Sequence, residues 1–317
     1  MRLVFFGTPE IAVPTLDRLL KDGHEIAAVF TQPDRPSGRG YHLQPSAVKT
    51  YALSQGLPLY QPEKIRTPEF RELLSTLSPE IAIVVAYGRI IPEWILEIPQ
   101  FGFINSHFSL LPAYRGAAPI NWAIACGEKI TGVSVMKMVK ELDAGDILLQ
   151  QPVEIVEEET APELAARLSL LGAELISKAL HNLHLLKPVP QDHSKATFAP
   201  ILKREDGKIV WQQLTASQVC ARVRGFQPWP GTFCFLGANR LFIWKASAVA
   251  ETCKATAGTV VNIDKNAIFV ACAANTLLQI QELQLEGRKR LAVKDFLNGV
   301  RLTIGQSLEP TNQNDRN

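Results

Sequence analysis

The 317-residue chain is 46% hydrophobic and 20% charged, with a formal net charge of +2, the composition of an ordinary soluble globular protein. The opening apolar run of MRLVFFGTPE breaks at Gly7, too short for a signal peptide, and the longest run elsewhere, IAIVVA at 81–86, falls far short of the ~20 residues that span a bilayer, so a cytoplasmic protein with no membrane attachment is expected. The five cysteines, at 126, 220, 234, 253 and 272, are odd in number and form no CxxC pair, which argues against a disulfide framework or a zinc site and for buried, reduced thiols.

The first half of the chain alternates strand and helix signals. Leu3 to Phe6 is a short apolar run ended by Gly7, and an amphipathic stretch bearing Ile11, Leu16, Leu19 and Leu20 follows and stops at Gly23. Ile26 to Phe30 is rich in β-formers, 46–55 reads as a helix, 57–60 as a short strand and Phe70 to Leu77 as a helix. Residues 81–86 are apolar throughout, the pattern of a strand covered on both faces, and Phe103 and Ile104 begin another. This alternation predicts an α/β fold with a doubly wound parallel sheet. Two β-like runs, 131–139 and 147–156, are joined by KELDAGD as a hairpin or long loop at the sheet's edge. A helix from about Pro162 to Leu186, with Leu164, Leu168, Leu171, Leu175, Ala179 and Leu183 in one stripe, closes a first domain at 186.

Residues 187–206 contain three prolines and no periodicity and read as a linker. A short helix near 216–224 precedes five strand-like runs, GTFCFL, RLFIWKASAV, GTVVNI, AIFVACA and TLLQIQELQL, and a helix at 293–298. Residues 207–308 thus read as a second domain, a small barrel or sandwich, and 309–317 as a disordered tail. Residues 1–186 carry 16 basic and 21 acidic side chains, a net charge of −5, whereas 187–317 carry 17 and 10, a net of +7. The asymmetry points to a polyanionic partner, with surface drift as the competing account.

The residues most suited to chemistry lie in GFINSHFSLLP at 102–112. Strand alternation places Asn105, His107 and Ser109 on one face, at the end of a strand, where open α/β sheets bind their ligands. An amide there can hold a developing oxyanion, and an imidazole can exchange a proton near neutral pH; the same residues can also serve as a plain strand-end cap. ELDAGD at 141–146 offers Asp143 or Asp146 to orient His107, or is an ordinary turn. PDRPSGRG at 33–40, carrying Arg35 and Arg39, is expected to form no regular element and to be an exposed loop: either a solvated connector or a basic finger for phosphates and base edges. FFGTPE lacks the GxGxxG pattern of a dinucleotide site. His24 reads as a turn residue, EEE at 157–159 as a solvated helix start, and PWPG at 228–231 as a rigid turn with a packed Trp229.

Together these segments carry a resemblance. GTPE, TQPDRPSGRG, VVAYGRIIP, NxH, SLLP with YRGAAPI behind it, LDAGD and FQPWPG are similar, in order and spacing to about residue 305, to the folate-dependent formyltransferases, and among them to those acting on methionyl-tRNA. The resemblance implies a Rossmann-like first domain followed by an OB-like β-barrel. It implies transfer of the formyl group of (6R)-10-formyltetrahydrofolate to the α-amino group of methionyl initiator tRNA, for translation initiation, with tetrahydrofolate as the other product. A monomer is expected, and no metal, because the amine is already a nucleophile and no water must be activated. It further implies catalytic roles for Asn105, His107 and Asp143, folate contacts by Ser109, Leu110, Leu111 and Pro112, and a pterin pocket near Arg89, Ile90 and Ile91. Arg39 matches an arginine inserted at the end of the acceptor stem, with Arg35, Lys203 and Arg204 as further tRNA contacts. Three departures stand out: Phe108 replaces a small residue and either narrows the site or packs away from it, Tyr41 and His42 stand where some members carry lysines, and Ile201 where many carry lysine. A formyltransferase acting on a ribonucleotide or an amino sugar is the nearest alternative, opposed by the basic second domain. A noncatalytic RNA-binding protein is the other, opposed by the intact Asn105, His107 and Asp143.

Overall fold

The computed structural model describes residues 1–37 and 42–310. In the first half, the apolar runs bounded by glycine or proline become strands: β1 (Arg2–Gly7), β2 (Glu25–Phe30), β3 (Leu59–Tyr60), β4 (Ile81–Val85), β5 (Phe103–His107), β6 (Ile130–Lys137) and β7 (Ile147–Glu154). They form one sheet in the order β7-β6-β5-β4-β1-β2-β3. Pairing is parallel from β3 through β5, while β6 runs antiparallel to β5 and β7 antiparallel to β6. All five residues of β4 are buried, as a strand covered on both faces requires. Phe6 stacks on Phe30 and meets Phe70 and Tyr87 edge-on, with Phe103 tilted against it. These rings form much of the apolar core under the sheet, and their offset and edge contacts are the favourable ones.

The helices start where the sequence places side-chain caps. Ser46 accepts from the Lys49 N–H at the head of Ala47–Ser54, and Thr67 accepts from the Phe70 N–H at the head of Pro68–Leu77, each leaving one fewer unpaired amide. The long helix is Ala161–His181, shorter than the apolar stripe suggested. Beyond it the Asn182 side chain caps the Lys178 carbonyl, and Leu185 and Leu186 bond back to Asn182, so the chain tightens into turns. The residues 157–159 precede the helix rather than starting it. A seven-residue helix, Pro119–Ala125, had no sequence signal, being too short to display a 3.6-residue period.

The described chain divides into two compact units. The first comprises Met1–Pro119, Ile130–Glu154 and Leu164–Pro200, and the second Ile120–Lys129, Ile155–Glu163 and the residues from Ile201 onward. Residues 187–200, expected to be linker, therefore pack within the first unit. Ile147 and Val189 exchange backbone hydrogen bonds at 2.9 Å, and Phe198–Ala199 pairs in parallel with Arg115–Gly116. Such short backbone ladders need no hydrophobic period, so the sequence does not announce them. The expectation of an irregular loop at 33–40 is corrected in part, since Arg35–Ser37 pairs antiparallel with His42–Gln44. A two-stranded ribbon leaves every second N–H unpaired and so tolerates a proline that a central strand would not. Arg39 lies outside the described residues.

The second unit is built on β8 (Thr232–Leu236), β9 (Asn239–Val249), β10 (Val260–Ile263), β11 (Ile268–Ala271), β12 (Leu277–Leu285) and β13 (Leu291–Ala292). All pairings are antiparallel, in the order β8-β9-β12-β11-β10, with β13 off β12. The residues Gly305 to Leu308 run between the two edge strands. Val260 N–H donates to the Gln306 carbonyl, Gly305 N–H to Val260, Leu308 N–H to Gly258, and Phe235 N–H to Leu308. This seam turns the open sheet into the expected OB-like barrel and removes its edges. Trp211, Val219, Ile243, Val270, Ile280 and Phe296 fill its interior. Two readings are corrected here: Trp229 is 52% exposed rather than packed, and Cys126 is exposed, although Cys234 and Cys272 are buried. Among the described residues no helix is long and apolar enough to cross a membrane.

Candidate active site

Strand β5 carries Asn105 and His107 to the carboxyl end of the first sheet. Asn105 lies opposite Val84 of β4 and Met136 of β6, and His107 opposite Ser134. Alternation turns Ser106 the other way. Gly172 of the long helix comes so close that a Cβ there would lie 2.8 Å from Ser106 Oγ and 3.3 Å from Phe108 Cε1. Phe108 thus packs away from the site, against the helix. The Asn105 side chain makes no hydrogen bond among the described residues, so its amide is free to donate.

His107 is buried and gripped from one side. Its Nε2 lies 2.9 Å from the Tyr114 carbonyl oxygen; a carbonyl only accepts, so this nitrogen carries the proton. Its Nδ1 faces Asp143 Oδ2 at 3.6 Å, longer than a direct hydrogen bond. Asp143 Oδ2 in turn accepts from the Gly116 N–H at 2.8 Å. Asp143, and not Asp146, is therefore the carboxylate brought to the imidazole, while the ring orientation comes from Tyr114. Tyr114 and Asp143 both have left-handed backbone, with φ of 59° and 49°, each costing about 1–3 kcal/mol that the surroundings must offset. Gly116, with φ 120°, is required on other grounds: a Cβ there would lie 2.6 Å from the Ala199 carbonyl oxygen.

The loop after β5 is a closed hydrogen-bonded unit. Ser109 is fully buried and its Oγ donates to the Ala113 carbonyl at 2.6 Å. The expectation that this hydroxyl faces a ligand beside His107 is corrected, because β5 ends at His107 and alternation does not extend to Ser109. Ser134 donates to the Ser109 carbonyl and accepts from the Leu111 N–H, and Gln150 donates to both Ser134 and the Leu111 carbonyl. Sequence reasoning missed Ser134 and Gln150, whose strands β6 and β7 show only an apolar pattern.

A second polar network covers the carboxyl ends of β1, β2 and β4. Thr8 Oγ1 and Gln32 Nε2 both donate to the Tyr87 carbonyl, at 3.0 and 3.1 Å. Gln32 Oε1 accepts from Arg89 Nε at 3.1 Å and from Arg35 at 3.5 Å, and Arg89 Nη1 donates to the Glu63 carbonyl at 2.7 Å. Asp34 accepts from Lys49 at 2.5 Å and Gln61 at 2.8 Å, and these two hold its carboxyl below the usual range, Lys49 most strongly. Ile90 is 65% exposed, but Ile91 is buried in the aromatic core, so its side chain is not part of any open surface. Lys203 and Arg204 belong to the second unit, exposed at the turn Arg204–Gly207. A groove of about 610 Å³ between Arg71, Ser75, Trp94 and Glu97 contains none of these residues. Among the described residues no group of three or more metal-ligating side chains occurs.

A sheet whose carboxyl end presents a free amide beside a buried imidazole faced by a half-buried carboxylate is the arrangement of an acyl-type transfer site. Residues 1–180 match the formyl transferase family and residues 201–301 its C-terminal domain, and the chain belongs to that family. It is 49% identical over 304 residues to the methionyl-tRNA formyltransferase of Koribacter versatilis, covering 95% of this chain and 96% of that protein. It is 43% identical over 310 residues to the protein of the same name from Alkaliphilus oremlandii, covering 97% and 99%. WlaRD, a sugar 3N-formyl transferase crystallised in the presence of dTDP and 5-N-formyl-THF, shares the fold with a TM-score of 0.67 at 17% identity, over 91% of this chain and 99% of that one.

Proposed function

We propose that the chain transfers the formyl group of (6R)-10-formyltetrahydrofolate to the α-amino group of methionyl initiator tRNA, as a cytoplasmic monomer that uses no metal. The observation that carries the chemistry is the unpartnered Asn105 amide beside the buried His107 and the Asp143 that faces it. The choice of acceptor is supported by likeness to the methionyl-tRNA enzymes along the whole chain, second unit included.

The donor set fits a formyl carbonyl: one free amide N–H for its oxygen and one imidazole for the attacking amine. The folate supplies an activated one-carbon unit and a nitrogen leaving group. Asn105 donates to the oxygen on which negative charge gathers, a contact that strengthens only as the reaction proceeds. His107, fixed through Nε2 by the Tyr114 carbonyl, takes the amine's proton at Nδ1 as the new C–N bond forms. That proton passes to the folate nitrogen as its bond to the formyl carbon breaks, releasing tetrahydrofolate. Asp143 lies on that side of the ring and balances its charge. The Ser109–Pro112 segment, made rigid by Ser134 and Gln150, and the Arg89–Ile91 stretch hold the folate. Arg89 serves there by fixing the backbone, because its guanidinium is bonded to Gln32 and Glu63, and Ile91 by its backbone alone. Arg35, Arg39, Lys203 and Arg204 supply cationic contacts to tRNA.

The test is formyl transfer from labelled 10-formyltetrahydrofolate to methionyl initiator tRNA, free methionine and a nucleotide-linked amino sugar. Transfer to the tRNA alone is expected. Equal transfer to free methionine or to the sugar overturns the assignment of acceptor.

A further inference from the structure

Residues 181–200 fall between the two matched families, yet part of this stretch backs the candidate site. Thr197 accepts the Tyr114 N–H on Oγ1 and the Arg115 N–H on its carbonyl, both at 2.9 Å, and the Ala199 carbonyl accepts the Ala117 N–H at 2.9 Å. Further upstream lies Gln191, 6% exposed, with its whole amide engaged. Its Nε2 donates to the carbonyls of Asp143 at 2.9 Å and Gly145 at 2.7 Å, and its Oε1 accepts from Arg115 Nε at 3.2 Å and Nη2 at 2.7 Å. Arg115 is also 6% exposed, and among the described residues its guanidinium meets no carboxylate, only Gln191 and His193 Nδ1 at 3.0 Å.

We infer that Gln191 is a positioning residue that sets the separation of His107 and Asp143, an inference resting on the formyl-transfer reading above. Both partners hang on one short segment: the Tyr114 carbonyl fixes His107 and the Gly116 N–H fixes Asp143. That segment is tied through Arg115 to Gln191, and Gln191 is tied to the 143–145 turn. Arg115 also decides which way the amide faces. A guanidinium has no acceptor, so Oε1 must point to it and Nε2 must point to the turn. The two donated bonds then hold Asp143 in its left-handed conformation, which relaxes unless its surroundings fix it. Glutamate at this position keeps the acceptor, and gives the buried arginine a counter-charge, but has no donor for the turn.

Gln191→Glu therefore separates folding from positioning. Its melting temperature is expected to stay within a few degrees of the parent's, the counter-charge on Arg115 offsetting the two lost bonds. Its kcat is expected to fall at least about tenfold, with KM for folate and tRNA within about threefold, because small displacements of reacting groups are costly. Hydrogen exchange at the Gly116 amide, which Asp143 protects, is expected to quicken by about tenfold or more while the β4 amides are unchanged. Unchanged exchange at Gly116 overturns the inference, as does faster exchange with kcat unaltered. Ser177→Ala, which removes a buried bond to Asp22 away from the site, is the control and should leave kcat and Gly116 exchange alone. Should the glutamate variant fail to fold, Gln191→Met carries the same measurements. If the parent itself transfers no formyl group, the proposed function fails, while the exchange experiment still decides whether Gln191 holds the turn.

Discussion

The carboxyl end of the first sheet has two halves. Around β1, β2 and β4, Thr8, Gln32, Asp34, Lys49, Gln61 and Arg89 bond to one another or to backbone groups, at 2.5 to 3.3 Å. Around β5, the Asn105 amide has no partner among the described residues, and His107 faces Asp143 across 3.6 Å. Left-handed backbone occurs in both halves, at Ala86 as well as at Tyr114 and Asp143, so strain does not distinguish them. Hydrogen-bond satisfaction of these side chains does, the buried Tyr87 hydroxyl in the core below being the exception in the first half. The matched half is a shaped floor, and the half left unmatched is where a reacting group can complete the set.

The largest effects should come from the unmatched half. Asn105→Ala and His107→Ala are each expected to lower kcat by at least about a hundredfold, the usual loss of a donor that acts in the transition state, with KM for folate little changed. Near-normal turnover in His107→Ala removes the imidazole from the mechanism and with it the contrast between the halves. Asp143→Asn keeps an acceptor for the Gly116 N–H but loses the charge opposite Nδ1. A drop in kcat of about tenfold to a hundredfold is expected, and steady-state kinetics at saturating tRNA measure it.

In the matched half the expected change moves from kcat to KM. Arg89→Met deletes the bonds to Gln32 and Glu63 and should raise KM for the folate about five- to tenfold while sparing kcat; a kcat defect as large as that of Asn105→Ala would erase the division. The smallest effect is on stability. The Asp34 carboxyl is held low in the folded state by Lys49 and Gln61, so its contribution is fully present above the unfolded carboxylate value of about 4 and is lost as pH falls through the folded value. Thermal melts from neutral to acid pH should therefore show a shallower acid decline in Asp34→Asn than in the parent. Parallel declines would mean that this ion pair is unimportant for folding.

These halves were unequally visible in the amino-acid sequence. The strands are plain because burial repeats along them, and the two-residue spacing of Asn105 and His107 survives into β5. The choice of Asp143 over Asp146 came from the family resemblance and not from spacing, since it depends on a left-handed residue that turns one carboxylate inward. Tyr114 and Gln191 were invisible for a related reason. Tyr114 acts through its backbone carbonyl, which every residue type carries, and Gln191 acts on partners 46 to 76 residues away, and such contacts have no period. Ser109 shows the opposite error: alternation was carried past the end of the strand, where the chain had already turned and engaged the hydroxyl itself.

The seam of the second barrel has a consequence for synthesis. Residues 305 to 308 join β8 to β10, so a nascent chain can lay down all its barrel strands and still be unable to close them. Ile209 already donates to the Phe233 carbonyl on β8, but until residue 308 has left the ribosome the β10 edge and the Phe235 end of β8 carry unpaired groups, open to strands of neighbouring chains. Closure of this unit thus waits on a segment that follows every one of its strands in the chain. A stop codon a few positions before Gly305 leaves every barrel strand in place, yet it strips the strap from β10 and from the Phe235 end of β8.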